Sequence, residues 1–174
     1  MMDWWSQAIF DTCSVITLDK IRQIDPKIGK CFPKTIRVID ATFAEDQLRE
    51  DTVNRMRPIV TVCDTPSSKA LLEIFKEHQL SKSLSEVDKL LFATALYHNL
   101  SVVTADRQLG KAIKAVSLNV ADMATLLREL VQNKKISRSA CETLLAELAK
   151  RIDLILGTTT PSWNDLRSHR FPHR

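Results

Sequence analysis

The residues in this sequence best suited to chemistry are acids that follow apolar segments. Asp11 follows Gln7-Ala8-Ile9-Phe10, and Asp40 follows Ile36-Arg37-Val38-Ile39. Asp64 follows Ile59-Val60-Thr61-Val62-Cys63, and Asp106 follows Ser101-Val102-Val103-Thr104-Ala105. If these segments are parallel strands, their carboxyl ends share one rim, which is where open α/β sheets bind ligands. Carboxylates gathered within a few ångströms repel one another unless a cation neutralises them. Hard divalent cations take oxygen ligands, so an acid-lined rim without imidazole or thiolate favours Mg²⁺ or Mn²⁺ over zinc. Cys13, Cys31, Cys63 and Cys141 show no Cys-x-x-Cys spacing, and His78, His98, His169 and His173 show no ligand spacing on a shared helix face. The cysteines read as small buried apolar residues.

Each acid also has a plainer reading. Aspartate after a strand commonly caps a helix or a turn, and Asp40 and Asp64 fit that description best. Asp11 precedes Thr12, Cys13 and Ser14; because Ser14 can begin a helix itself, Asp11 is not needed as a cap. Asp106 precedes Arg107 and either caps the next helix or serves a site. Asp88 lies three residues after Ser85, a local capping arrangement, yet it heads the apolar face continued by Leu91, Phe92 and Ala95. An acid leading a buried face points to a site at the sheet rim. Glu86, on another face, reads as a capping acid for Ser83. Glu45, one turn into the helix expected after Asp40, has by pattern alone the look of a solvated glutamate.

The elements that must position these groups alternate. Strands are expected near 7–10, 36–39, 59–63, 101–104 and 116–120. Helices are expected near 14–24, 41–55, 66–78, 85–99 and 107–115, with Thr65 and Pro66 opening the third of them. That order predicts a three-layer α/β/α sandwich around a mainly parallel sheet, with right-handed crossovers. Two further helices follow near 121–133 and 137–156. Leu126, Leu127, Leu130, Leu144, Leu145, Leu148 and Ile152 recur along them at helical spacing, which suits a hairpin closing the core or, alternatively, a partner contact. After Gly157 the chain reads as an extended or flexible tail, with Trp163, Arg167, Arg170 and Arg174 able to touch RNA.

Taken together, three segments resemble the PIN-domain family: Asp11-Thr12-Cys13-Ser14-Val15-Ile16, the acid-led helix Ser85-Glu86-Val87-Asp88-Lys89-Leu90-Leu91-Phe92-Ala93-Thr94-Ala95, and Val102-Val103-Thr104-Ala105-Asp106-Arg107. The resemblance covers about residues 7–128. It implies that Asp11, Glu45, Asp88 and Asp106 are the catalytic, metal-binding acids, with Asp46 the fallback for Glu45 and Thr12 and Thr104 supporting. It also implies Mg²⁺- or Mn²⁺-dependent endonucleolytic cleavage of RNA, many bacterial members being toxins of VapC-type toxin–antitoxin pairs. Arg107, Lys111 and Lys114 would line the RNA path, unless they form an ordinary solvated helix face. One departure stands out: Cys13 occupies a position that is usually Ser or Asn, and a thiol is a poor partner for a hard cation. A weakened scaffold that binds RNA or protein is therefore the alternative. An antitoxin and a second copy of the chain are the protein partners considered.

Other acid-rich α/β families fit less well. A haloacid-dehalogenase-like phosphatase would want an acid where Cys13 stands, and a receiver domain would want adjacent acids at Asp11. The 174 residues suffice for one compact core, organised as a nuclease-like domain over 1–128, a helical extension over 129–156 and a basic tail over 157–174. No apolar run approaches the ~18 residues of a membrane span. Met1-Met2-Asp3-Trp4-Trp5 lacks the basic and long apolar regions of a secretory signal, so a cytoplasmic location is expected. Of the net charge of +4, +3 falls in residues 129–174, a mild bias towards a polyanionic partner.

Overall fold

A computed structural model describes residues 4–45 and 47–172. Asp46, His173, Arg174 and the first three residues, all part of the sequence expectations above, lie outside the described residues.

The sheet has five parallel strands: β1 (Ile9–Phe10), β2 (Ile36–Ile39), β3 (Val60–Cys63), β4 (Val102–Val103) and β5 (Val120–Ala121), in the order β3-β2-β1-β4-β5. Side chains on successive strand residues leave opposite faces, and the packing follows that rule. Phe10, Ile36, Val38, Val103 and Ala121 belong to one core, whereas Ile9, Ile39 and Val102 belong to the other. The first core receives α1 (Thr12–Ile24), α2 (Pro26–Gly29), α4 (Glu50–Met56), α8 (Met123–Gln132), α9 (Arg138–Lys150) and α10 (Trp163–Ser168). The second receives α5 (Ser68–Glu77), α6 (Glu86–His98) and α7 (Arg107–Ala115). The expected three-layer α/β/α architecture is thus present, with helices on both sides of a parallel sheet. The chain leaves β1 for β2 on one side and returns through β4 on the other. The crevice at the carboxyl ends of β1 and β4 is therefore the topological switch point.

Local differences from the sequence expectations have physical causes. The helix expected over 41–55 is broken into α3 (Asp40–Phe43) and α4, leaving Glu45 in the connection. Phe43 and Leu48 both pack in the first core, and residues five apart on a helix face different ways, so the chain must leave the helix between them. The α5 N-cap is Ser67, whose Oγ accepts from Ala70 N, rather than Thr65. The last strand is shifted to Val120–Ala121 because the chain turns at Val116 and Ser117, the latter with φ +62°. Helix α9 ends at Lys150, earlier than expected, and Ile152 is 87% exposed rather than part of the apolar stripe. There Asp153 turns inward, accepting from Thr17 Oγ1 at 2.9 Å and pairing with Lys20 at 3.1 Å.

The other leucines of the C-terminal stripe, at 126, 127, 130, 144, 145 and 148, are buried in the first core. They close the core. The described residues after Gly157, 158–172, do not form an extended tail. Helix α10 is capped by a reciprocal Ser162–Asp165 box and buries Leu166. Trp163 stacks beneath the Arg138 guanidinium and donates its backbone N–H to Glu142. Among the four cysteines, expected to be buried, only Cys141 is; Cys13 is exposed and Cys31 and Cys63 are half-buried, and all four are free thiols. Among the described residues no helix is long and apolar enough to cross a membrane.

Candidate active site

Asp11 is placed by the end of β1 and the start of α1. Contrary to the expectation that Ser14 would open the helix, Asp11 is the N-cap: its Oδ1 accepts from Ser14 N at 2.7 Å. Its Oδ2 accepts from Thr104 Oγ1 at 2.5 Å and from Ala105 N at 3.2 Å. The carboxylate thus ties β1 to the segment following β4. Burial raises its pKa above the ordinary 3.8, against the opposing effect of these hydrogen bonds. Thr104 is fully buried and also accepts from Asp106 N at 3.0 Å. Asp106 caps α7, its Oδ1 accepting from Leu109 N at 2.8 Å. On the opposite wall, Thr12 Oγ1 donates to Glu45 Oε2, which brings the glutamate of the broken helix back to the first turn of α1.

Asp88 is held at the third position of α6 by a capping box. Ser85 donates from both its hydroxyl and its backbone N–H to Asp88 Oδ2, at 2.7 and 3.3 Å, and Ser85 Oγ accepts from Asp88 N. The cap and site readings of Asp88 are therefore compatible, since one oxygen serves each. Glu86 does not cap Ser83; it pairs with Lys89 at 2.6 Å.

These groups meet in one cavity of about 210 Å³, whose lining includes Asp11, Thr12, Glu45, Ser85, Asp88 and Asp106. The four acids singled out from the sequence are thus brought together, whereas Asp40 and Asp64 are exposed and stay outside. Glu45 Oε1, Asp88 Oδ1 and Asp106 Oδ2 accept no hydrogen bond from any described residue. The lining oxygens are carboxylates and hydroxyls, the donor set a hard divalent cation takes. Among the described residues no three His, Cys, Asp or Glu side chains stand close enough to hold an ion as they are. The hydroxyls of Thr12, Ser85 and Thr104 hold three of the acids at the wall, and side-chain rotation is needed to draw them onto a shared cation. Cys13 Sγ shares this space. Desolvation and the charges of Asp11, Glu45, Asp88 and Asp153 push its pKa up to about 11, so at neutral pH it is a thiol and not a nucleophile.

Ser85 was legible only as a cap; a serine three residues before an acid was its signal. Gln47, on the same cavity wall, carried none. Arg107 is half-buried beside Asp106, and no described residue pairs with its guanidinium; Lys111 and Lys114 are exposed on α7 and do not line this cavity.

The raised pKa of Asp11 gives a pH prediction. A carboxyl whose folded pKa lies above its unfolded value binds protons more tightly when folded. The metal-free protein therefore loses stability as pH rises from near 3.8 through the raised value. A cation at this site would return that stability by binding the ionised form. The Tm gain on adding 10 mM Mg²⁺ should accordingly shrink as pH is lowered through that raised value, as measured by differential scanning fluorimetry over a pH series; a gain that does not fall anywhere in the acid range would separate Asp11 from the metal.

The geometry defines a parallel α/β domain with a carboxylate-lined crevice at its switch point, an arrangement suited to metal-assisted phosphoryl chemistry. The family model described as "PIN domain" matches residues 35–115, which contain Glu45, Asp88 and Asp106 and begin after Asp11. Over that segment, somewhat under half of the chain, the sequence is similar to the PIN-domain family. PIN domains are usually nucleases that act on RNA and generally use divalent metals. Neither the curated proteins nor the solved structures contain a match to the chain.

Proposed function

We propose that this protein is a Mg²⁺- or Mn²⁺-dependent endoribonuclease whose catalytic acids are Asp11, Glu45, Asp88 and Asp106. The observation that carries this reading is the lining of a single cavity by all four acids, drawn from four separate parts of the chain. A divalent ion held there would neutralise charge on the scissile phosphate and lower the pKa of an attacking water. Asp11 anchors the set, its orientation fixed by Ser14, Thr104 and Ala105. Thr12 orients Glu45, and Ser85 orients Asp88. The unengaged oxygens of Glu45, Asp88 and Asp106 face the proton- and cation-accepting work, and Arg107 is the nearby cation available to a phosphate. A role as a toxin, with an antitoxin or a second copy of the chain as partner, and a cytoplasmic location extend this reading through the family resemblance.

A second reading, a weakened PIN scaffold that binds RNA or protein, is favoured by Cys13 at the cavity wall and by the hydroxyls that hold the acids apart. RNA cleavage by the purified chain separates the two. Cleavage with Mg²⁺ or Mn²⁺ and none with EDTA is expected; no cleavage under any condition, with RNA still bound, would select the scaffold.

A further inference from the structure

A larger cavity, of about 400 Å³, adjoins the acid cavity and shares Cys13 with it. Its walls come from α1, the turn between β4 and α7, the start of α8 and the C-terminal segment around 153–157, closed by His169 and Phe171. The closing segment is fastened at several points. His169 Nε2 lies 2.5 Å from Asp122 Oδ2, and Arg128 donates to the His169 carbonyl at 2.6 Å. Phe171 lies directly on Gly110, where an added Cβ would come within 2.7 Å of the ring. The cavity is therefore pre-formed, and its size lies within the range of small-molecule sites.

The lining combines apolar surface with a carboxylate oxygen left free by the described residues, which suits an aromatic group with a polar edge. Met123, Leu154, Ile155 and Phe171 supply apolar surface. Asp153 directs Oδ2 to Thr17 and Lys20, and no described residue engages its Oδ1. Arg107 stands where this cavity meets the acid rim, beside Asp106, and is unpaired among the described residues. A nucleotide with its phosphate at the rim would have its base within reach of the larger space. We propose that this cavity is the subsite for a nucleobase next to the scissile phosphate, with Asp153 selecting bases that carry an exocyclic amine. The inference rests on the nuclease reading. A carboxylate accepts only; guanine, adenine and cytosine present amine donors to it, whereas the single edge N–H of uracil is flanked by carbonyls that the carboxylate repels.

The test is calorimetric titration of the full chain, in EDTA, with the 5′-monophosphates of guanosine, adenosine, cytidine and uridine. The guanosine nucleotide should bind at least about tenfold more tightly than the uridine nucleotide, the scale of one partly buried charged acceptor satisfied or left unpaired. Asp153→Asn should narrow that ratio to about threefold or less. Leu154→Trp, at a residue 40% exposed and so tolerant of bulk, should weaken all four by about tenfold through filling the space. Neither change should alter the Mg²⁺-induced Tm gain. Equal affinity for the four nucleotides, absence of binding at millimolar concentration, or selectivity unchanged by Asp153→Asn would each overturn the proposal. A wild type that selects among bases but shows neither Mg²⁺-dependent cleavage nor a Tm gain would instead sink the nuclease reading, leaving a nucleotide pocket.

Discussion

Asp88→Asn should reduce Mg²⁺-dependent RNA cleavage by at least about 10²-fold, the scale seen when one group stabilising developing charge is removed from an active site. The substitution is nearly isosteric and keeps a side-chain oxygen able to accept from Ser85, so the capping box that starts α6 can persist. What it removes is the negative charge at the oxygen the cap does not use. Cleavage assays at matched protein concentration, with circular dichroism as the check on folding, measure the effect. The same variant should show a smaller Mg²⁺-induced Tm gain, because it binds the ion less well in the native state. Activity within about threefold of wild type would remove Asp88 from the machinery and leave it as a helix cap. Asp11→Asn is less clean, because both oxygens of Asp11 hold structure together and an amide nitrogen would face an N–H or O–H donor.

Leu148→Ala should destabilise the protein by about 3 kcal/mol, a typical cost for emptying a buried leucine site. In a domain of this size that corresponds to a fall in Tm of roughly 6–12 °C. Leu148 is fully buried in the core that also holds Phe10 and Val103 of the sheet. A single cooperative transition at the lower temperature is expected, with loss of nuclease activity following unfolding rather than preceding it. Ile152→Ala, on the exposed residue just beyond the helix, should stay within about 0.5 kcal/mol of wild type. If Leu148→Ala left Tm unchanged, or melted only part of the chain in a separate step, the helices after residue 128 would be a detachable extension. The predicted result makes them part of the core on which Asp11 is mounted.

The sequence by itself determined the layers and singled out the acids that are candidates for the chemistry. Alternating strand and helix patterns specified a parallel sheet covered on both sides, because periods of two and of 3.6 are written in neighbouring residues. Asp11, Asp88 and Asp106 were legible because each sits at the start of a helix or the end of a strand, positions that local pattern reveals. Glu45 was not legible from pattern: it was expected on a helix, and only packing of Phe43 and Leu48 into one core breaks that helix and lets Thr12 draw the glutamate to the cavity. The C-terminal segment shows the same limit. Nothing in the run from Gly157 to Pro172 announces that His169 will meet Asp122, or that Phe171 will rest on Gly110. Local sequence encodes propensity over a few residues, whereas contacts across tens of residues exist only when the assembled core offsets the entropy of ordering them. Tertiary structure alone therefore decided which acids share a cavity and what closes the space beside it.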